Sequence, residues 1–392
     1  MRNKRLMATA ALAAALACTA CPALADDDLN VSEDGIGLAL AGETVKIELG
    51  GKLQFDLLAY DTVVTGGSAA EVRTAEIRRA RPDLRIAIAD TVSLRAEWEL
   101  SGSRGWRNLY AQIEPFEDLT LRGGNFTVPF SMEELQNTAR APFAERSLVS
   151  TISPGFGLGG QAGYSSRRLT LRIGYFDDAL DPQDGRSSEH GRGLVGRVTG
   201  VPVDKEGLLV HLGLGLERRT FEPGESLRFS TSAGSTFAPD LIRTRRLDGL
   251  SRLIAANAEL GVVAGSFSAQ AQYVHQRLER DAPPQAKLSA AYVQASWMPT
   301  GESYRYARGS GVLAGPRICR RMALELAVRL GWLDATDPQW SGGSAQALDI
   351  SAGLHLTSNF RVLAAGTLAS REDMLGSRED WQALVLRSQL AF

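Results

Sequence analysis

The chain has 392 residues, with 43 basic and 45 acidic side chains, four histidines and a formal charge of −2. This balance excludes the basic surface of a nucleic-acid binder, and there is no polyacidic tail. No apolar run reaches the ~20 residues of a membrane helix, and forty glycines among short alternating segments point to one large β structure.

Residues 1–25, MRNKRLMATAALAAALACTACPALA, read as a secretory signal peptide. Arg2, Lys4 and Arg5 precede an apolar run too short to span a bilayer, and Ala23-Leu24-Ala25 supplies a small-residue cleavage site. A lipid-attachment site would need a Leu three residues before a Cys, but Cys18 has Ala15 there and Cys21 has Cys18. Cleavage after Ala25 would leave 367 residues, a charge of −5 and Cys319 as the one thiol, which excludes an intrachain disulfide. Residues 26–45, opening with DDDLNVSEDG, are expected to form a short periplasmic segment, and residues 46–392 the single domain.

From there the chain alternates with a period of two. Strands are expected near 50–60, 73–88, 91–101, 106–114, 118–126, 157–165, 168–177, 191–200, 206–219, 249–262, 265–278, 286–298, 321–334, 346–357, 359–369 and 380–392. In TVSLRAEWEL, Val92, Leu94, Ala96 and Trp98 oppose Ser93, Arg95, Glu97 and Glu99. In RMALELAVRLGWL, Leu326, Val328, Leu330 and Trp332 oppose Glu325 and Arg329, and in ALDISAGLHL, Leu348, Ile350 and Leu354 oppose Asp349, Ser351 and His355. A soluble sandwich would also show one apolar face. Strands of about ten residues or more, in this number, instead suit a tilted crossing of an outer membrane. In lipid no strand edge can stay unpaired, so the sheet must close. The expected fold is all-β: a transmembrane antiparallel β-barrel of sixteen strands, with the third loop folded inward.

Connections sort by length. Short turns alternate with longer loops at 127–156, 178–190 and 220–248, as in barrels with periplasmic turns and extracellular loops. The segment 299–320 is long yet falls at a turn position, and is read as an extended turn. The last strand, WQALVLRSQLAF, places Leu384, Leu386, Leu390 and Phe392 on one face, with Val385, Arg387 and Gln389 on the other. It is expected to close the barrel against the first strand. A terminal aromatic there resembles the signal by which outer-membrane barrels are recognised for assembly.

The third loop carries Phe130, Met132, Leu135, Phe143 and Leu148, too apolar for a loop in solvent, and its expected place is inside the barrel, narrowing the pore. Here NFTVPFSMEELQ is followed by FAERSLVSTISPG. Together they resemble the motif G-x-F-x-x-P-F-S-x-E-E-x-x-S, then F-x-E-R-S-L and Pro-Gly, of the phosphate- and polyphosphate-selective porins (OprO/OprP type). EIRRARPDLRI and MALELAVRLGWLDA resemble that family's Arg-rich second strand and its W-E-L-A-x-R-x-S-x-L-D segment. The resemblance implies a homotrimeric porin in which the third loop, the fifth loop and a periplasmic turn enter the lumen. It also implies arginines that lead small anions, such as inorganic phosphate, to a narrow region. The lipid bilayer of the bacterial outer membrane is the implied surroundings.

Candidate anion-path residues are Arg73, Arg79, Arg81 and Arg85 on the second strand, read as sharing the luminal face, with Arg243, Arg245 and Arg246 in the fifth loop. Guanidinium groups offer forked donors to phosphate and stay charged at working pH. Candidate constriction residues are Phe130, Ser131, Glu133, Glu134, Arg140, Glu145 and Arg146. The competing reading is that these arginines pair with carboxylates across the lumen and line a general diffusion channel. Five lysines against 38 arginines, no Lys in the third loop, and Glu97, Glu99, Glu259 and Glu325 on the wall favour that alternative. Histidines 190, 211, 275 and 355 are scattered without metal-ligand spacing, and no Ser-containing motif accompanies them. No enzyme, cofactor or metal site is therefore expected. A surface adhesin using loops 178–190 and 220–248 is the remaining alternative.

Overall fold

The computed structural model describes residues 29–32, 35–40, 44–64, 70–181, 191–232, 240–280, 285–318 and 322–392; the expected signal peptide, His190 and Cys319 lie outside them. The barrel strands are β1 (Val45–Val64), β2 (Ala70–Ile88), β3 (Val92–Glu99), β4 (Gly105–Phe116), β5 (Leu119–Thr127) and β6 (Phe156–Ser165). They continue with β7 (Leu169–Asp177), β8 (Arg192–Lys205), β9 (Leu208–Thr220), β10 (Leu250–Ala264) and β11 (Phe267–Arg280). The last five are β12 (Ala286–Trp297), β13 (Ala323–Ala335), β14 (Gly343–His355), β15 (Phe360–Glu372) and β16 (Arg378–Ala391). Each pairs antiparallel with the next, and β16 returns to β1 from Ala391↔Lys52 to Glu379↔Val64. Sixteen strands close the sheet, as the alternation requires. Closure pairs the last strand with the first from Lys52 to Val64, as a sheet in hydrocarbon needs.

The alternation sorts residues inside out. Outward positions carry Leu212, Leu214, Leu216, Leu384 and Leu386, with Leu216 66 % exposed. Inward positions carry Gln54, Asp56, Glu97, Arg197, Glu259, Arg329 and Arg387, all buried. A water-soluble fold would reverse this distribution, because the apolar face needs lipid or protein against it. Outward aromatic pairs lie near the two ends of the wall. Trp98 and Trp106 meet edge to face at 4.7 Å, and Phe267 stacks on Trp297 at 5.7 Å. Such girdles mark the two membrane interfaces.

The first strand runs past the C-terminus, so part of its edge needs another partner. Gly51 N–H donates to Phe392 O at 2.7 Å, and beyond that point Gly35–Leu40 takes over, pairing from Ile36↔Leu49 to Leu40↔Val45. Leu29–Ser32 pairs in turn with Gly35–Leu40. The expected N-terminal segment thus contributes a hairpin that continues the sheet.

One register detail corrects the sequence reading. In β2, Gln54 faces Arg79 but Phe55 faces Ile77, so Arg78 is an extra, bulged residue. A bulge moves every later side chain to the opposite face. Arg79, Arg81 and Arg85 are inward, whereas Arg73 pairs with the outward Ala59 and sits exposed, 2.6 Å from Glu71. Arg73 does not share the luminal face of the other three. Strict alternation, which groups Arg73 with them, does not hold across the bulge.

Candidate constriction and anion path

The third loop, residues 128–155, leaves β5 and turns into the barrel. It begins at Phe130 and Met132, both fully buried, and makes a one-turn helix, α1 (Met132–Leu135), capped by Ser131. One wall catches this start by two backbone groups and the Ser131 hydroxyl. Asn257 Nδ2 donates to Phe130 O (2.7 Å), Met132 N–H to Glu259 Oε1 (2.8 Å), and Gln272 Nε2 to Ser131 Oγ (2.7 Å). Gly215 permits this approach, since a Cβ there would lie 2.6 Å from Phe130 O.

The opposite wall catches the return. Gln389 Nε2 donates to Ala139 O (2.7 Å), Arg361 Nη1 to Ala141 O (2.8 Å), Ser351 Oγ to Pro142 O (2.8 Å), and Arg387 Nη1 to Ala144 O (2.5 Å). Donors from β14, β15 and β16 therefore hold carbonyls the loop cannot satisfy itself. Backbone groups deep in a barrel need such partners. Among the acidic residues here, Glu145 is the focus. Arg78 grips it with two bonds of 2.7 and 2.9 Å, Arg387 adds one at 3.0 Å and Arg79 one at 3.3 Å. Burial alone would raise this carboxyl, but the three guanidinium groups hold it well below the usual carboxylate range.

Glu133 accepts from Ser147 N–H and Oγ (2.7 and 2.6 Å) and lies 3.4 Å from Arg329. Glu134 pairs with Arg146 at 2.9 Å. Arg329 also binds Asp349 (2.9 Å) and stacks on Phe143 at 4.3 Å. All seven candidate constriction residues thus lie in this inward segment. Arg140 sits against Gly315 of the long turn.

The described part of that turn, residues 299–318, also enters the lumen, as a hairpin of Tyr304–Ala307 and Val312–Pro316. Its tip meets β7 and β8: Arg197 Nη2 donates to Gly311 O (2.7 Å), and Thr170 Oγ1 to Arg308 O (2.8 Å). Gly311 has φ +64°, and a Cβ would strike Thr199, so only glycine fits there. The hairpin joins the third loop where Gln136 Nε2 donates to Leu313 O at 2.8 Å. Two similar clusters fix its tyrosines. Tyr306 Oη lies 2.9 Å from His211 Nδ1, whose Nε2 lies 3.2 Å from Glu259 Oε2. Tyr304 donates to Glu325, which also lies 3.2 Å from His355 Nε2.

The candidate arginines do not form an unpaired ladder. Arg79 is shared between Gln54 (2.7 Å) and Glu145, Arg81 lies on Glu99 and Glu97, and Arg85 is 3.0 Å from Asp83. In the fifth loop, Arg243 is exposed and pairs with Asp240 at 2.6 Å. Arg245 and Arg246 are exposed as well, and the Arg245 N–H donates to Trp340 O of the neighbouring loop. None of the three has an ion pair with the third loop among the described residues. The fifth loop instead buries Leu227, Phe229, Leu241 and Ile242 in a cluster with Ile152 and Trp340. Sequence reasoning missed Arg78, Arg197, Arg329, Arg361 and Arg387 as anchors. Arg329 and Arg387 were readable as inward by alternation, but their partners come from distant strands.

A family model described as phosphate-selective porin O and P matches residues 47–392. The chain belongs to this family. It is an outer-membrane porin, and its barrel is similar to several solved channels. These include the outer-membrane channel DcaP of Acinetobacter baumannii (TM-score 0.58, 12 % identity, covering 90 % of this chain and 99 % of that one). OmpT of Vibrio cholerae gives 0.55 at 11 % identity, covering 90 % and 99 %. An anion-selective porin from Comamonas acidovorans gives 0.53 at 12 %, covering 89 % and 100 %. At these identities the likeness shows the fold. No curated protein sequence matches the chain.

Proposed function

We propose that this porin lets small hydrophilic solutes diffuse passively across the outer membrane, with a preference for anions such as phosphate. The observation that carries the anion preference is the arrangement at Glu145, where Arg78, Arg79 and Arg387 converge on one carboxylate. Fixed guanidinium groups beside a narrowing favour anions over cations of the same size. The inward third loop and the turn hairpin supply size exclusion. Family membership and the anion-selective neighbour support the same reading. The basic, Ala-rich stretch at 1–25, read as a secretory leader, is consistent with passage to the outer membrane. OmpT of Vibrio cholerae is described in a trimer form, and we extend a homotrimer to this chain by analogy. The protein acts as a channel and not as an enzyme.

A second reading has its own observation. Arg79, Arg81 and Arg85 each lie on a carboxylate, which favours a general diffusion porin without a phosphate site. Single-channel recording of the purified protein in planar bilayers tests the channel itself. Stepwise ion conductance is expected, and a folded barrel that never conducts would favour the adhesin reading. Liposome swelling in sugars of increasing size then reads the exclusion limit.

A further inference from the structure

The outer wall carries a basic row that the channel does not use. Leu194 of β8 pairs with Arg218 of β9, Arg218 with Ile254 of β10, Ile254 with Arg277 of β11, and Arg277 with Lys287 of β12. The row runs straight across the strands, and Arg218, Ile254, Arg277 and Lys287 are all exposed on the side away from the lumen. Neighbouring strands lie about 4.8 Å apart, so the three cations fall within about 15 Å. Like charges directly opposite on adjacent strands repel, and Arg277 and Lys287 are such a pair. None of the three has an ion pair or a side-chain hydrogen bond among the described residues. Acids that flank the row are engaged elsewhere: Glu279 with Arg252 (3.1 Å), Glu222 with Arg192 (2.5 Å) and Asp334 with Thr336 (2.6 Å).

The height of the row decides what it meets. Phe267, stacked on Trp297, belongs to the aromatic girdle at the short-turn end, and Arg277 lies ten residues further along the same face of β11. At about 3.4 Å per residue and a strand tilt of about 40°, that rise is about 26 Å. The apolar band of an outer-membrane barrel is about 25 Å tall. The row therefore stands at the outer edge of that band, on the side of the long loops. Towards the band the surface turns apolar: Leu216 and Leu214 on β9 and Tyr273 on β11 flank Ala256 and Ala258 on β10. These two alanines leave a shallow slot that runs from the basic row into the band.

We infer that Arg218, Arg277 and Lys287 form a docking surface for the phosphorylated headgroup of an outer-leaflet glycolipid, of the lipid A class, with an acyl chain over Ala256 and Ala258. Charge complementarity and depth select this occupant. The outer leaflet of a bacterial outer membrane presents phosphates at this level, and guanidinium and ammonium groups bind them. A free anion would meet the charges without the apolar surface below them. The inference goes beyond channel function, because all three side chains face away from the lumen.

The test titrates the purified porin, refolded in detergent free of glycolipid, with bis-phosphorylated lipid A, and counts bound lipid by native mass spectrometry. The parent is compared with R218Q/R277Q/K287Q, and folding is checked by heat-modifiable gel mobility. Saturable binding is expected for the parent, and binding about a hundredfold weaker for the triple variant, at roughly fivefold for each basic residue. Dephosphorylated lipid A should bind the parent as weakly as lipid A binds the variant. Equal binding of lipid A by parent and variant overturns the inference. So does a parent that binds the dephosphorylated lipid equally well, or one from which equimolar inorganic phosphate displaces lipid A. A variant that loses an assembly the parent keeps overturns it too, since the row would then be a contact between copies. Single-channel conductance of the variant should match the parent's, so failure of the site leaves the porin reading intact. If the triple variant does not fold, R277Q/K287Q carries the same comparison, with a loss of about twenty-five-fold expected.

Discussion

Arg387 of the last strand grips Asp56 of the first with two parallel hydrogen bonds of 2.7 Å, directly across the seam that closes the barrel. The same guanidinium holds Glu145 and Ala144 O of the third loop. Closure of the wall and placement of the constriction therefore share one side chain. Replacing Arg387 with Met would strand Asp56, while Glu145 keeps Arg78 and Arg79, at a cost of about 3 kcal/mol for a broken buried pair. The heat-modifiable gel shift should occur at a lower temperature, and single-channel conductance should rise as the loop loosens.

Arg81 lies on Glu99 and Glu97. Changing Arg81 to Gln removes the ion pair of Glu99, whereas Glu97 keeps Arg95 at 2.8 Å, so the reversal potential should move toward cation preference. Adding Glu99→Gln removes the uncompensated charge and should return the potential most of the way. If the double variant stays as far shifted as the single, Arg81 acts directly on ions in transit rather than by neutralising the wall.

The Glu145 carboxyl is depressed well below its ordinary value: burial opposes ionisation, and Arg78, Arg79 and Arg387 outweigh it. Its contribution to stability is present above the ordinary carboxyl range of about 4.3. That contribution is lost only as pH falls through the lower folded value. Conductance and loop placement should therefore hold at pH 4, with loosening confined to stronger acid. Glu145→Gln should already show the loosened state at pH 7.

The hydroxyls of Tyr304 and Tyr306 pin the turn hairpin to Glu325 and His211 on two separate walls. Changing both to Phe removes hydrogen bonds each contributing about 1 kcal/mol, while leaving the strands untouched. More frequent current fluctuations at an unchanged gel mobility are the expected result.

Sixteen strands and their faces were legible because a barrel in lipid writes its period-two pattern plainly, as in β13 and β14. The third loop was legible because Phe130, Met132 and Phe143 could not rest in solvent. Arg73 was misplaced because the Arg78 bulge has no signal in EIRRARPDLRI. Pairing of the luminal arginines was weighed but not assignable: Arg387 and Asp56 are 331 positions apart and meet only after closure. The fifth-loop arginines were read as an extended row, yet that loop spends its alternation on burying Leu241 and Ile242.

The central claim is anion preference set by the luminal arginines. It is tested most directly by the zero-current reversal potential of the purified porin in a planar bilayer under a tenfold KCl gradient. A potential of the sign carried by chloride is predicted, with Arg78→Gln moving it toward zero. A potential of the sign carried by potassium would contradict the account.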